Sequence, residues 1–232
     1  MWENQGIQVV ITAHNTSEYL ERCLGSVSNS LQGRKWILVF SDDGSSDDTY
    51  EKTDFLSKDF NRFIIKNQKA KNYVQAANRA LELSFQFKEE YPAIMIMDSD
   101  DEMLPGRAAL VDYLARNNEI FVFGDYYLER DGSLIEVRPD RIPGFMRFGA
   151  WATVFHQSLI KKDTPFFEES LVVHADLAKW WYLKCVENVK LCNFPGHFTH
   201  RYIKRSGSVS YGAGPKESEQ LKNYIDKICP SS

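Results

Sequence analysis

Ala93-Ile94-Met95-Ile96-Met97-Asp98-Ser99-Asp100-Asp101 is an apolar strand that runs without interruption into three carboxylates. Carboxylates crowded at a strand end repel one another, and they resist joint ionisation unless a cation or dense hydrogen bonding offsets the repulsion. A hard divalent ion such as Mg2+ or Mn2+ would do so through oxygen ligands. Taken alone, a D-x-D is read more plainly as an acidic turn closing a buried strand. The rest of the chain decides between the two.

Working outward toward the N-terminus, Ile7-Gln8-Val9-Val10-Ile11-Thr12 reads as a buried first strand. It ends in Ala13-His14-Asn15-Thr16-Ser17, where Thr16 or Ser17 is placed to cap a helix carrying Leu20, Cys23, Leu24 and Val27. Lys35 to Ser41 is a second strand, stopping at Asp42-Asp43-Gly44-Ser45-Ser46-Asp47-Asp48-Thr49. Gly44 permits the tight turn, and Asp47 or Ser46 suits the cap of the next helix. Asp42 and Asp43 differ because they stand at the strand tip, where a carboxylate can accept from a nucleobase N–H or a ribose hydroxyl. Arg62 to Lys66 gives a third strand, and Asn72 to Phe87 a helix with Val74, Ala77 and Leu81 on one face. The order βαβαβαβ implies a largely parallel sheet with right-handed crossovers. Thr12, Asp43 and the D-x-D then fall on one edge of that sheet.

Ile-Thr-Ala-His-Asn, Ser-Asp-Asp-Gly-Ser-Ser-Asp-Asp-Thr, Ala-Ala-Asn-Arg-Ala-Leu and Met-Asp-Ser-Asp-Asp, with Pro105 shortly after, occur in that order between residues 7 and 105. Together they resemble the nucleotide-sugar half of the inverting family 2 glycosyltransferases of A-type fold. The resemblance implies that Thr12, His14 and Asp43 hold a nucleobase, that Asp98 holds ribose, and that Asp100, with Asp98, holds a Mg2+ or Mn2+ ion bridging a diphosphate. Asn72 joins the nucleotide-binding set. Two departures stand out: His14 replaces a frequent tyrosine, and Ala77 replaces a frequent arginine, which leaves one positive contact unassigned.

Toward the C-terminus, Pro105 suits a helix start, Glu119 to Asp125 a further buried strand, and Tyr126 to Val137 a hairpin turning at Arg130-Asp131-Gly132-Ser133. Gly144 to Lys162 is rich in aromatic residues, among them Phe145, Phe148, Trp151 and Phe155. Phe166-Phe167-Glu168-Glu169 and then His174-Ala175-Asp176 follow. Asp176 lies at a helix start, where a carboxylate can serve as a cap alone. The family places its catalytic base at such a position, so the resemblance implies Asp176 as base, with Ala175 standing where a glutamate is usual. Trp151, Trp180 and Trp181 are candidate platforms for a sugar ring. Val189 to Phe194 reads as a strand, and His197 to Ser210 as a basic loop; it resembles the family's segment that closes over the diphosphate, and the resemblance implies that Arg205, assisted by Lys204 and His200, faces it. His197-x-x-His200 lacks companions for a zinc set. Lys216 to Cys229 closes with an amphipathic helix.

The 232 residues suit one α/β domain: a mostly parallel central sheet with flanking helices and a Rossmann-like nucleotide half to about residue 105, then an antiparallel acceptor-side elaboration from about 106 to 232. A net charge of -4, with no long basic block, argues against nucleic acid as a partner. Cys23, Cys185, Cys192 and Cys229 form no C-x-x-C pair and follow no signal peptide, which leads to an expectation of reduced thiols in a cytoplasmic protein. No apolar run reaches the roughly 18 to 20 residues of a membrane span, so any membrane contact would be peripheral.

The reaction implied is metal-dependent inverting transfer from a nucleoside-diphosphate sugar, UDP by family expectation, to a glycan or lipid-linked glycan hydroxyl. A sugar nucleotidyltransferase would carry a glycine-rich phosphate loop near the N-terminus, which Thr12 to Ser17 is not. A non-catalytic sugar-nucleotide-binding protein is the other alternative, and Ala175 is its support.

Overall fold

Strand β1 (Ile7–Ala13) is buried along its whole length, and the reason is its place between two parallel neighbours, β2 (Trp36–Asp42) and β4 (Ala93–Asp98). The computed structural model describes residues 6–66, 69–139, 149–171, 173–204 and 215–229. In chain order the remaining elements are α1 (Leu20–Ser30), α2 (Thr49–Leu56), β3 (Arg62–Lys66), α3 (Tyr73–Ser84), β5 (Glu102–Met103) and α4 (Gly106–Asn117). They are followed by β6 (Phe121–Arg130), β7 (Ser133–Val137), β8 (Thr153–His156), α5 (Ala175–Cys185), β9 (Cys192–Lys204) and α6 (Pro215–Ile228). The sheet runs β3-β2-β1-β4-β8-β6-β9-β5, with β7 paired to β6.

Strands sandwiched between helices read as continuous apolar runs because successive side chains enter opposite cores. Val10, Val39, Ile94 and Ile96 face one core with Val74, Ala77 and Leu81 of α3 and with Trp180 of α5. Val9, Ile11, Leu38, Phe40, Met95 and Met97 face the other, with Leu20, Leu24 and Val27 of α1 and Leu110 and Leu114 of α4. Each fully buried aliphatic side chain contributes roughly 1.5–3 kcal/mol. The register aligns Thr12 with Ser41 on one side and with Asp98 on the other, so the three polar strand tips share one edge as the chain order implies.

Parallel winding ends at β8, which is antiparallel to both β4 and β6. The hairpin forms as read, pairing Arg130 with Ser133. The segment read as a basic loop from His197 is instead the continuation of β9 as far as Lys204, parallel to β6 and antiparallel to β5. Alternate residues of a strand point to opposite faces. His197 therefore stacks on Phe194 while His200 is fully buried against Asp101, and the two imidazoles do not converge on a metal.

Two smaller expectations are corrected. Neither Thr16 nor Ser17 caps α1 through its side chain; its N-cap is Tyr19, whose backbone N–H donates to the Thr16 carbonyl at 2.9 Å. Cys185 and Cys229 are not reduced but joined by a disulfide with Cα atoms 5.8 Å apart, because the C-terminal ends of α5 and α6 meet. Cys23 and Cys192 are free and buried. Among the described residues no helix is long and apolar enough to cross a membrane.

Candidate active site

The loops after β1 and β2 are laced together by hydrogen bonds. Asn15, held at a positive φ of 53°, accepts from the Ser46 backbone N–H at 2.8 Å, and its own N–H donates to Ser45 Oγ at 2.9 Å. Asp42 is spent on the turn, taking both the N–H and the hydroxyl of Ser45. Gly44 sits at φ +72° with the Lys69 backbone against it, so a side chain there would be strained and crowded. The N-cap of α2 is Asp48 and not Asp47 or Ser46, while Asp47, one residue earlier, accepts from the Thr49 N–H at 3.1 Å.

Asp43 is the second strand-tip acid of this turn, and it is buried. Its Oδ1 accepts from the Ala70 N–H at 2.8 Å and lies 3.9 Å from Arg79 Nη1. His14 is exposed, with Nδ1 3.1 Å from the Asp43 carbonyl, and Thr12 is buried beside Asp98. Arg79, on the second turn of α3, thus brings a guanidinium to the strand tips where Ala77 brings none, a residue the sequence analysis did not select. Asn72 serves α3 itself: its Oδ1 accepts from the Gln75 N–H at 2.9 Å, a helix cap and not a contact aimed outward.

At the tip of β4, ligand atoms of Asp98, Asp100 and Asp101 lie within 4.8 Å of one another. Asp101 is already committed. Its Oδ2 meets His200 Nε2 at 3.0 Å and its Oδ1 accepts from the Ile203 N–H at 2.9 Å, pinning the turn to β9. Asp98 and Asp100 remain half-buried at the surface of the cluster, the hard oxygen pair that suits Mg2+ or Mn2+. Burial, then the charge of Asp100, pushes the Asp98 carboxyl up to about 7. Below the cluster Arg107 is fully buried, donating through Nη2 to the carbonyls of Ile96 at 2.6 Å and Thr153 at 2.9 Å, and burial lowers its pKa to about 9. The tip of β4 therefore contains a buried cation that sequence spacing did not reveal.

Asp176 stands in the first turn of α5, two residues after His174, whose φ of 65° bends the chain into the helix. Histidine tolerates this region better than most side chains. The Ala150 backbone N–H donates to Asp176 Oδ2 at 3.1 Å and the Leu177 N–H to Oδ1 at 2.9 Å. Burial raises its pKa above the ordinary carboxylate value, against those two hydrogen bonds. Its charge acts on both Asp98 and Tyr73, so the acid of α5 shares a field with the acids of β4.

The aromatic residues hold α5 in place. Trp180 is fully buried among Phe121, Phe155, Phe166 and Phe167, and Trp181 is 9% exposed, so both belong to the core and neither offers a sugar platform. Asn78 bonds Phe167 reciprocally, donating to its carbonyl at 3.0 Å and accepting from its N–H at 2.8 Å, which ties α3 to the loop before α5. Trp151 is half-buried, stacked on Tyr202 at 4.7 Å, and adjacent in sequence to the Ala150 that holds Asp176. Arg205, Phe145 and Phe148 lie outside the described residues.

The description Glycosyl transferase family 2 matches residues 8–180. The chain is 30% identical over 129 residues to a GalNAc(5)-diNAcBac-PP-undecaprenol beta-1,3-glucosyltransferase of Campylobacter jejuni, covering 55% of this chain and 40% of that protein. It is 28% identical over 124 residues to a dolichol-phosphate mannosyltransferase of Pyrococcus furiosus, covering 53% and 34%. The matched stretches thus span less than half of either relative. Among solved structures, S. aureus TarS 1-349 in complex with UDP-GlcNAc superposes with a TM-score of 0.77 at 15% identity, covering 98% of this chain and 67% of that one. The mannosyltransferase PcManGT of Pyrobaculum calidifontis, in complex with GDP-Man and Mn2+, gives 0.62 at 12% identity, covering 96% and 69%. At such identities the structural likeness establishes the fold.

Proposed function

The chain belongs to glycosyl transferase family 2, and from that premise we propose that it transfers a sugar, with inversion, from a nucleoside-diphosphate sugar to the hydroxyl of a glycan or lipid-linked glycan. The observation that carries the reading is the position of Asp176, anchored by the Ala150 N–H and electrostatically coupled to Asp98 across the sheet edge. An acceptor oxygen bound there gives its proton to Asp176 as it attacks the anomeric carbon, and the bond to the diphosphate breaks on the opposite face. Burial of the carboxyl raises its basicity toward that task.

Thr12, His14 and Asp43, with Arg79, would border the base, Asp98 the ribose, and Trp151 the acceptor side, next to the turn that holds Asp176. A Mg2+ or Mn2+ ion on Asp100 and Asp98 would offset the charge of the departing diphosphate, with Arg205 as a further cation. UDP is the proposed nucleotide. The acceptor class is supported by the undecaprenol-linked substrate of the Campylobacter relative, and action at the cytoplasmic face of a membrane is compatible with it.

A non-catalytic sugar-nucleotide-binding role is the second reading, favoured by Ala175, a small buried residue where the family usually has a carboxylate. Turnover of a panel of UDP- and GDP-sugars with Mn2+, against undecaprenyl-linked and free glycan acceptors, separates them. Transfer by the wild type that Asp176→Asn loses supports the enzyme. Tight metal-dependent UDP binding with no transfer across the panel supports the binding protein.

A further inference from the structure

Tyr73 is the first residue of α3, and its hydroxyl donates to Asp98 Oδ1 at 2.5 Å. The residue is 38% exposed and outside both hydrophobic cores, and the packing of α3 is carried by Val74, Ala77 and Leu81. The phenol also lies in the field of Asp100 and Asp176, the acids assigned above to the metal and to proton transfer. It therefore borders the gap in which a donor must sit. Without a ligand, Asp98 would face two other carboxylates with no donor of its own, an arrangement that costs free energy at a partly buried site. The Tyr73 hydroxyl removes that cost by taking the place a ribose hydroxyl would occupy.

We propose that Tyr73 is a built-in stand-in for the donor's ribose and a determinant of donor recognition: its hydroxyl holds Asp98 Oδ1 until a ribonucleoside diphosphate displaces it. The inference rests on the assignment of Asp98 to ribose. It has a thermodynamic signature. A ligand with ribose hydroxyls exchanges one hydrogen bond to Asp98 for another and gains little from that exchange. A ligand without them leaves the tyrosine bond in place and loses little. The wild type should therefore distinguish the two weakly, and a variant without the phenol hydroxyl should distinguish them strongly, because Asp98 then has a hydroxyl donor only in the ribose-bound state.

The experiment is titration calorimetry of UDP and 2′,3′-dideoxy-UDP, each with Mn2+, on the wild type, Tyr73→Phe and Asp98→Asn, with GDP and its dideoxy analogue as a parallel pair. Removing a competing hydrogen bond to a charged group should tighten UDP binding to Tyr73→Phe by about 3- to 10-fold. The dideoxy Kd should change less than twofold, so the ratio of the two affinities widens. Equal weakening of both ligands would mean that the phenol supports the site without competing, and would overturn the proposal. So would an unchanged ratio, the result expected if ribose binds the second oxygen of Asp98 while Tyr73 keeps the first. Asp98→Asn separates this failure from failure of the site itself: if it binds both members of a pair as tightly as the wild type, or if neither nucleotide binds the wild type, the ribose assignment falls and this inference with it. A complex with UDP and Mn2+ supplies a second readout, in which the Tyr73 hydroxyl should lie beyond hydrogen-bond distance of Asp98.

Discussion

Asp101 and His200 meet at 3.0 Å, 1% and 0% exposed, and join the acidic turn after β4 to the middle of β9. Burial, then the charge of Arg107, holds the imidazole well below its ordinary pKa, so it is neutral and its Nε2–H donates to the carboxylate. His200→Ala would take the imidazole donor from a buried carboxylate and leave a cavity beside it, costing about 2–4 kcal/mol. Urea unfolding at pH 7.5 measures it. The same group predicts a pH dependence. A histidine whose folded pKa is depressed contributes stability that is complete above the unfolded value near 6.5 and is lost as pH falls toward the folded value. The wild type should lose stability between about pH 6.5 and 5, and His200→Ala should lose less over the same interval.

Asp176→Asn keeps the shape at the start of α5 but cannot accept a proton. Transfer should fall by roughly 10²- to 10⁴-fold, the usual contribution of a general base, while UDP affinity stays within about twofold. Because burial raises the Asp176 pKa, the acid limb of kcat/KM should lie above the range of an ordinary carboxylate, with activity falling as pH drops and the base takes up its proton. A limb unmoved from pH 4 would argue against the assignment.

Asp100 has been assigned to the metal, and Asp101 to the fold through His200. Asp100→Asn should therefore abolish the Mn2+ dependence of UDP binding with little change in unfolding free energy, whereas Asp101→Asn should destabilise the chain by about 2 kcal/mol or more. Chelation by EDTA should lower transfer at least 100-fold, with Mn2+ or Mg2+ restoring it. Activity indifferent to EDTA would remove the metal from the mechanism.

Arg79 should carry the positive contact that Ala77 does not. A half-exposed guanidinium beside Asp43 is worth roughly tenfold in nucleotide affinity, so Arg79→Ala should raise the UDP Kd by about that factor and Arg79→Lys by less. Calorimetry on the two variants is sufficient, and an unchanged Kd for Arg79→Ala would leave the contact unassigned.

The nucleotide-side fold was legible because each signal there is local. An apolar run ending in Thr12, Asp43 or Asp98 gives a strand and its polar tip together, and the βαβ order places the tips on one edge. What escaped depends on contacts between residues far apart in sequence. Arg107 follows Pro105 with no pattern to mark it, yet it reaches the carbonyls of Ile96 and Thr153. The Tyr73–Asp98 bond spans 25 positions and the Asp101–His200 bond 99. The basic residues of β9 read as a loop because the burial of the adjacent Thr199 and His200 comes from β5 and β6 on either side and follows no alternating pattern. Trp180 and Trp181 read as platforms because an indole in sequence shows its chemistry and not its burial.

Cys185 and Cys229 illustrate the same gap, and they make the last prediction. Their 44-residue separation carries no motif, but α6 returns to α5 and brings the two sulfurs together. Helix α6 buries only Leu221 and Ile225, so the bond is a principal anchor for it. Closing a loop of that length stabilises a folded chain by about 2–4 kcal/mol. Dithiothreitol should lower the unfolding free energy of the wild type by that amount, and Cys229→Ser should do the same without reductant. The two effects should not add, because both remove one bond. If reductant leaves the wild-type unfolding curve where the oxidised protein has it, the thiols are reduced in solution, and α6 is held by its apolar contacts alone.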